Sequence, residues 1–120
     1  MKVLIIDDSP TEAHVVKGYL ARQNMEVLVA NNAEDGIKVA RQELPDAILM
    51  DVVMPGMNGF QATRFLTRDP QTSHIPIIIL TTKGAETDRV WGMRQGARDY
   101  LVKPVEESEL ISRLKTLTSE

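Results

Sequence analysis

A parallel α/β sheet of five strands alternating with five helices is the fold this chain predicts, and three observations carry that expectation. Apolar runs of strand length recur at residues 3–6, 27–30, 47–50, 77–80 and, more weakly, 100–102. Each run is followed by a segment with helical spacing, about 10–15 residues long, which suits a crossover between parallel strands with helices on both faces of the sheet. No linker, repeat or low-complexity stretch interrupts the 120 residues, so a single domain spanning 1–120 is expected, with no second folded unit and no output domain.

Each element has its own justification. The first strand, Val3-Leu4-Ile5-Ile6, is closed by Asp7 and Asp8. Ser9-Pro10-Thr11-Glu12 then supplies a capping serine, a proline at the first helical position and a glutamate at the third, the pattern of a capping box. Ala13, Val16 and Leu20 give that helix its inward face. After the second strand, Asn32 with Asp35 forms a looser cap, and Ala33, Ile37 and Ala40 point inward. The third strand, Ala47-Ile48-Leu49-Met50, is closed by Asp51. Asn58 with Gln61 repeats the capping box, with Ala62, Phe65 and Leu66 as the expected inward face. The fourth strand runs into Thr81-Thr82-Lys83, and Val90, Met93 and Ala97 are expected to line the helix after it. The fifth strand runs into Lys103-Pro104, followed by a helix facing inward through Leu110, Leu114 and Leu117. Trp91, the only tryptophan, falls between Val90 and Met93 and fits either the flank of the core or an outer binding face.

Composition removes several function classes. The net charge of −3 and a pI near 5.4 argue against a binder of phosphate backbones, so no nucleic-acid partner is expected. Without cysteine there is no thiol nucleophile, disulfide or Cys-based metal site. Four apolar residues after Lys2 are too few for a secretory core of roughly 7–15, and no run approaches the roughly 18 of a membrane span. A soluble cytoplasmic protein without membrane insertion is the expectation. His14 and His74 lack a cysteine or second histidine at ligand spacing and read as surface or capping residues.

Ligands of open parallel sheets bind beyond the carboxyl ends of the strands. There this chain places Asp7 and Asp8, Asp51, Thr81 and Lys103. If the first and third strands are neighbours, three carboxylates converge, each opposing the ionisation of the others. Oxygen ligands of that kind suit Mg²⁺, and a magnesium site beside a free carboxylate suggests phosphoryl chemistry. Asp8 and Asp51 could hold the ion directly and Asp7 through water, with one Asp51 oxygen left as nucleophile. Thr81 could hydrogen-bond a phosphoryl oxygen and Lys103 neutralise its charge. Taken singly, the aspartates read as turn residues, Thr81 as a strand residue and Lys103 as a solvated lysine.

Through Asp7-Asp8, the run LMDVVMPGMNG at 49–59, Thr81, Tyr100 and Lys103-Pro104, the whole chain resembles the receiver domain of two-component response regulators. The resemblance implies a CheY-like, flavodoxin-like sheet with strand order 2-1-3-4-5. It implies that Asp51 accepts a phosphoryl group from the phosphohistidine of a histidine kinase or phosphotransfer domain. Asp7, Asp8, Asp51 and the backbone carbonyl of Val53 would place Mg²⁺, and Thr81 and Lys103 would bind the acyl phosphate. Such a protein is a signalling phosphoacceptor, not an enzyme turning over a substrate, although it assists its own phosphorylation and dephosphorylation.

The same resemblance implies a switch. Thr81 moves toward the phosphoryl group, Tyr100 rotates into the space it leaves, and the face made by the fourth helix, fifth strand and fifth helix changes its preference for partners. The Lys103–Pro104 bond is expected to be cis. Thr82 stands where the family usually has a small residue, and Val53 and Lys83 occupy variable site positions. An apolar Val53 cannot orient a hydrolytic water, so slow self-hydrolysis of the acyl phosphate is expected.

The segments DDSPTE (7–12), NGFQATR (58–64), TSHIP (72–76) and ETDRVWGMRQGARDYLVKPV (86–105) exceed what phosphotransfer needs. They resemble stand-alone receivers that control type IV pilus twitching motility. That implies a chemotaxis-like kinase as donor, a motility protein read through the face around Tyr100, and a monomer serving as output regulator or phosphate sink. Alternatives are a receiver of another chemotaxis-like pathway or a Mg²⁺-dependent phosphatase with an aspartate nucleophile. Phosphatases of that kind usually carry Asp-x-Asp after the first strand, whereas Asp7 and Asp8 are adjacent. In a flavin-binding module, Asp7, Asp8 and Glu12 would repel the cofactor phosphate. A degenerate receiver would lack site residues, and none is missing.

Overall fold

Strand pairing decides which loops meet at the carboxyl edge of a parallel sheet. In the computed structural model, which describes residues 1–119, the elements alternate along the chain. They are β1 (Lys2–Ile6), α1 (Pro10–Ala21), β2 (Glu26–Ala30), α2 (Ala33–Glu43), β3 (Ala47–Met50), α3 (Gly59–Arg68), β4 (Ile77–Thr81), α4 (Glu86–Arg94), β5 (Asp99–Val102) and α5 (Glu107–Thr118). The sheet order is β2-β1-β3-β4-β5 with every pair parallel, the expected doubly wound arrangement. Ile6 pairs with both Ala30 and Met50, so the next residues of β1 and β3, Asp7 and Asp51, emerge side by side. Thr81 pairs with Val102, which sets Lys103 one step beyond.

Residues alternate across each strand and feed two cores. Leu4, Ile6, Ile48, Met50, Ile77, Ile79 and Tyr100 pack with α2 and α3 on one face. Val3, Ile5, Ala47, Leu49, Ile78, Leu80 and Leu101 pack with α1 and α5 on the other. Both faces are covered, which is why the strands read as continuous apolar runs with no polar alternation.

The helix starts follow the sequence closely. Asn58 and Gln61 form the reciprocal capping box in full. Asn32 accepts from the Asp35 N–H at 2.8 Å. Ser9 accepts from the Glu12 N–H at 3.3 Å, but the return half of that box is not made. The Ser9 N–H donates instead to Asp7 Oδ1 at 2.9 Å, and the Glu12 side chain turns elsewhere.

Two inward faces differ from the expectation. In α3, Phe60, Ala62, Thr63 and Leu66 are buried, while Phe65 is exposed beneath the guanidinium of Arg41, 5.3 Å from its ring centroid. The inward stripe passes through Thr63, a polar residue that an apolar count skips. In α4, Val90, Trp91 and Met93 are all exposed, and Gly92 is the buried residue. A Cβ there would come within 2.8 Å of Ile79 Cδ1 and 3.0 Å of the Tyr100 ring. The helix therefore docks through the residue with no side chain, because Tyr100 fills the space beneath it. Ala97 is buried, but in the loop beyond the end of α4 and not on the helix, and α5 adds Ile111 to the buried Leu110 and Leu114 while Leu117 is partly buried.

Candidate functional site

The parallel ladder continues one step past the strands and holds the carboxylates by their own backbones. The Asp7 N–H donates to the Ala30 carbonyl at 3.1 Å, and the Asp51 N–H donates to the Ile6 carbonyl at 2.9 Å. The Lys103 N–H donates to the Thr81 carbonyl at 2.8 Å, so the basic side chain is fixed to the same sheet edge. The loop after β3 folds back tightly, with the Gly59 N–H donating to the Val52 carbonyl at 2.9 Å. The Lys103–Pro104 peptide is cis, as expected.

One carboxylate oxygen from each of Asp7, Asp8 and Asp51 lies within 4.8 Å of the others. Asp7 and Asp51 are buried and Asp8 is exposed, so the cluster opens to solvent on one side. This all-oxygen donor set fits Mg²⁺, a hard cation that keeps some of its waters, and these residues could hold it. Val53 follows two residues after Asp51 with its side chain exposed.

Burial pushes the Asp51 carboxyl up to about 6, with the Lys103 charge pulling it down and the Asp7 charge pushing it up. The Val52 N–H donates to Asp51 Oδ1 at 2.9 Å and favours the ionised form. Lys103 Nζ lies 2.8 Å from Asp7 Oδ2, 3.0 Å from Glu12 Oε1 and 3.9 Å from Asp51 Oδ1. Burial pulls the Lys103 ammonium down, but its hydrogen bonds to Asp7 and Glu12, together with the Asp51 and Asp7 charges, outweigh that and raise it. It is a cation throughout the physiological range.

Thr81 is fully buried at the end of β4, and its Oγ1 accepts from the Lys83 N–H at 3.3 Å. Tyr100 sits inward, 2% exposed, its hydroxyl donating to the Lys83 carbonyl at 2.6 Å. Burial, with a smaller contribution from Asp88, pushes the Tyr100 phenol up to about 12, which keeps the donating proton in place. The Arg89 guanidinium donates to the Tyr100 carbonyl at 3.1 Å and ties α4 to β5. Beside them Trp91, 48% exposed, stands on the outer face of α4 and not on the flank of the core. Lys83 and both histidines are exposed.

The sequence spacing thus brings Asp7, Asp8, Asp51 and Lys103 to one edge, with Thr81 and Tyr100 on the adjoining strands. Glu12, expected as a capping residue and as a charge opposing a cofactor phosphate, also contacts Lys103, which is the addition. The available signal is that Asp7 precedes Ser9 by two residues and can take the N–H that Glu12 would otherwise cap.

Residues 3–115 match the response regulator receiver domain family. Protein PilH of Pseudomonas aeruginosa is 57% identical over 116 residues, covering 97% of this chain and 96% of PilH. Among solved structures, chemotaxis protein CheY4 of Vibrio cholerae superposes with a TM-score of 0.90 at 31% identity, over 97% of each chain. The receiver domain of sensor histidine kinase PA1611 from Pseudomonas aeruginosa superposes with a TM-score of 0.92 at 28% identity, over 99% of this chain and 98% of that one. That neighbour carries a magnesium ion coordinated in its active-site cleft.

Proposed function

The chain belongs to the response regulator receiver domain family, and from that membership we propose that Asp51 is its phosphoacceptor and that the acyl phosphate controls pilus-driven motility. The observation that carries the first part is the convergence of three carboxylates with the Lys103 ammonium 3.9 Å from Asp51. An Asp51 oxygen forms a bond to phosphorus as the phosphorus–nitrogen bond of a donor phosphohistidine breaks, and that electron pair returns to the imidazole nitrogen. Lys103 neutralises charge on the transferred group, and the Thr81 hydroxyl turns to donate to one of its oxygens. Asp7, Asp8, Asp51 and the Val53 carbonyl would hold Mg²⁺, which would add charge neutralisation at the phosphoryl oxygens. Tyr100 and the α4–β5–α5 face around it then read out the state of the site.

The test is incubation with Mg²⁺ and acetyl phosphate, followed by intact mass. One phosphoryl group is expected, and excess chelator should suppress its uptake. The adduct is expected to be long-lived, since the exposed Val53 side chain offers no polar group to hold an attacking water. Absence of any mass gain with Mg²⁺ present refutes the phosphoacceptor reading.

The likeness to PilH supports the pathway. Introduced into Pseudomonas aeruginosa cells lacking PilH, the chain is expected to restore wild-type twitching. An Asp51→Asn version should not, and equal behaviour of the two would refute signalling through this residue.

A further inference from the structure

We infer that Glu12 is a positioning residue that restrains the Lys103 ammonium away from Asp51, so that releasing the restraint speeds phosphoryl uptake. The inference rests on the phosphoacceptor reading above and adds a residue to it. Lys103 Nζ is within hydrogen-bond range of Asp7 Oδ2 at 2.8 Å and Glu12 Oε1 at 3.0 Å, and beyond that range of Asp51 Oδ1 at 3.9 Å. Neutralising a phosphoryl group on Asp51 requires the ammonium to close that gap. On this inference the same displacement lengthens its bond to Glu12, which is anchored in the first turn of α1.

The two restraining carboxylates are not equivalent. Asp7 belongs to the three-carboxylate cluster and also accepts the Ser9 N–H at 2.9 Å. Glu12 contributes nothing to the cluster, and its side chain is directed to Lys103. The usual task of a glutamate three residues after a capping serine is to return to the serine N–H, as Gln61 does to Asn58 at 2.9 Å in this same chain. At Ser9 that donor is already taken by Asp7, so Glu12 is released from capping and reaches across to Lys103. With 42% of its side chain exposed, the pair is partly screened, and its influence on rate should be a few-fold.

Initial rates of phosphorylation by acetyl phosphate, in the full chain with saturating Mg²⁺, separate a contact from a charge effect. Glu12→Ala removes both. Glu12→Asp keeps the charge but is one methylene too short to hold the ammonium. Glu12→Gln keeps the reach and a weaker hydrogen bond. Restraint by contact predicts rates about threefold above wild type for Glu12→Ala and Glu12→Asp, with Glu12→Gln between them and wild type. Fast Ala and Gln variants with a wild-type rate for Asp would show a general effect of charge and overturn the inference. Unchanged or slower rates across all three would overturn it as well, slower rates meaning that Glu12 holds Lys103 where the reaction needs it. If the wild-type chain takes up no phosphoryl group, the phosphoacceptor reading itself fails, which is distinct from a wild type that reacts and a series that stays flat.

Discussion

Asp51→Asn is expected to abolish phosphoryl uptake from acetyl phosphate, leaving the intact mass unchanged under conditions where the wild-type chain gains one group. The amide is nearly isosteric, so the sheet edge and the loop after β3 should persist, but its oxygen is a poor nucleophile and a neutral metal ligand. Stability should move the other way. In metal-free buffer the Asp51 carboxyl is pushed up to about 6 in the folded chain, chiefly by burial, against an ordinary value of 3.8. Folding therefore favours the protonated form, and the ionised carboxylate opposes the fold at pH values above about 6. Asparagine carries no such charge, so Asp51→Asn should unfold at a higher temperature than wild type near neutral pH. The difference should shrink as pH falls from about 6 toward the ordinary carboxylate value. Thermal melts in chelator across that range check it, and a variant less stable than wild type at neutral pH would contradict the electrostatic account of the site. Retained uptake would move the phosphoacceptor elsewhere.

Gly59→Ala is expected to damage both fold and site, although alanine is the better helix former. At the first residue of α3 a Cβ would overlap the Asp51 carbonyl oxygen and come within 2.8 Å of the Asp51 carbonyl carbon and of Val52 Cα. These obstacles are backbone atoms, so no rotamer change relieves them, and either the helix or the end of β3 must move. Helix propensity favours alanine by about 1 kcal/mol, whereas overpacking costs up to about 3 kcal/mol when neighbours cannot yield. The net expectation is a loss of about 2 kcal/mol, or roughly 1 M in the urea midpoint. Displacing Asp51 by even a fraction of an ångström should also slow phosphoryl uptake by at least about tenfold. A variant with wild-type stability and uptake would show that the loop after β3 is free to relax.

How much of this could be read from the chain alone follows from the physics of each element. Fully covered strands announce themselves as unbroken apolar runs, and Ser9, Asn32 and Asn58 mark their helices because capping is a local interaction. The carboxyl-edge cluster is legible for a related reason: Asp7, Asp51 and Lys103 follow immediately on their strands and Thr81 ends its own. The strand order came from resemblance to a family, because periodicity carries no information about which strands are neighbours. The inward face of α4 is hidden from an apolar count because the helix docks through Gly92, whose contribution to packing is an absence of atoms. An apolar count ranks phenylalanine above threonine and so favours Phe65 for the core, yet Thr63 lies at the buried position and Phe65 is covered by Arg41 from outside. The partner of Glu12 lies 91 residues away, beyond any local pattern.

The inward seat of Tyr100 also has a consequence in time. An exposed aromatic side chain changes rotamer in picoseconds to nanoseconds. To leave its seat, this ring must give up the hydroxyl bond to Lys83 and its packing in the core together, beneath a helix that meets it at Gly92. Its departures are therefore expected to be slower than those of an exposed ring. On the proposed reading, a partner diffusing onto the α4–β5–α5 surface would meet one persistent arrangement during an encounter, not an average over many.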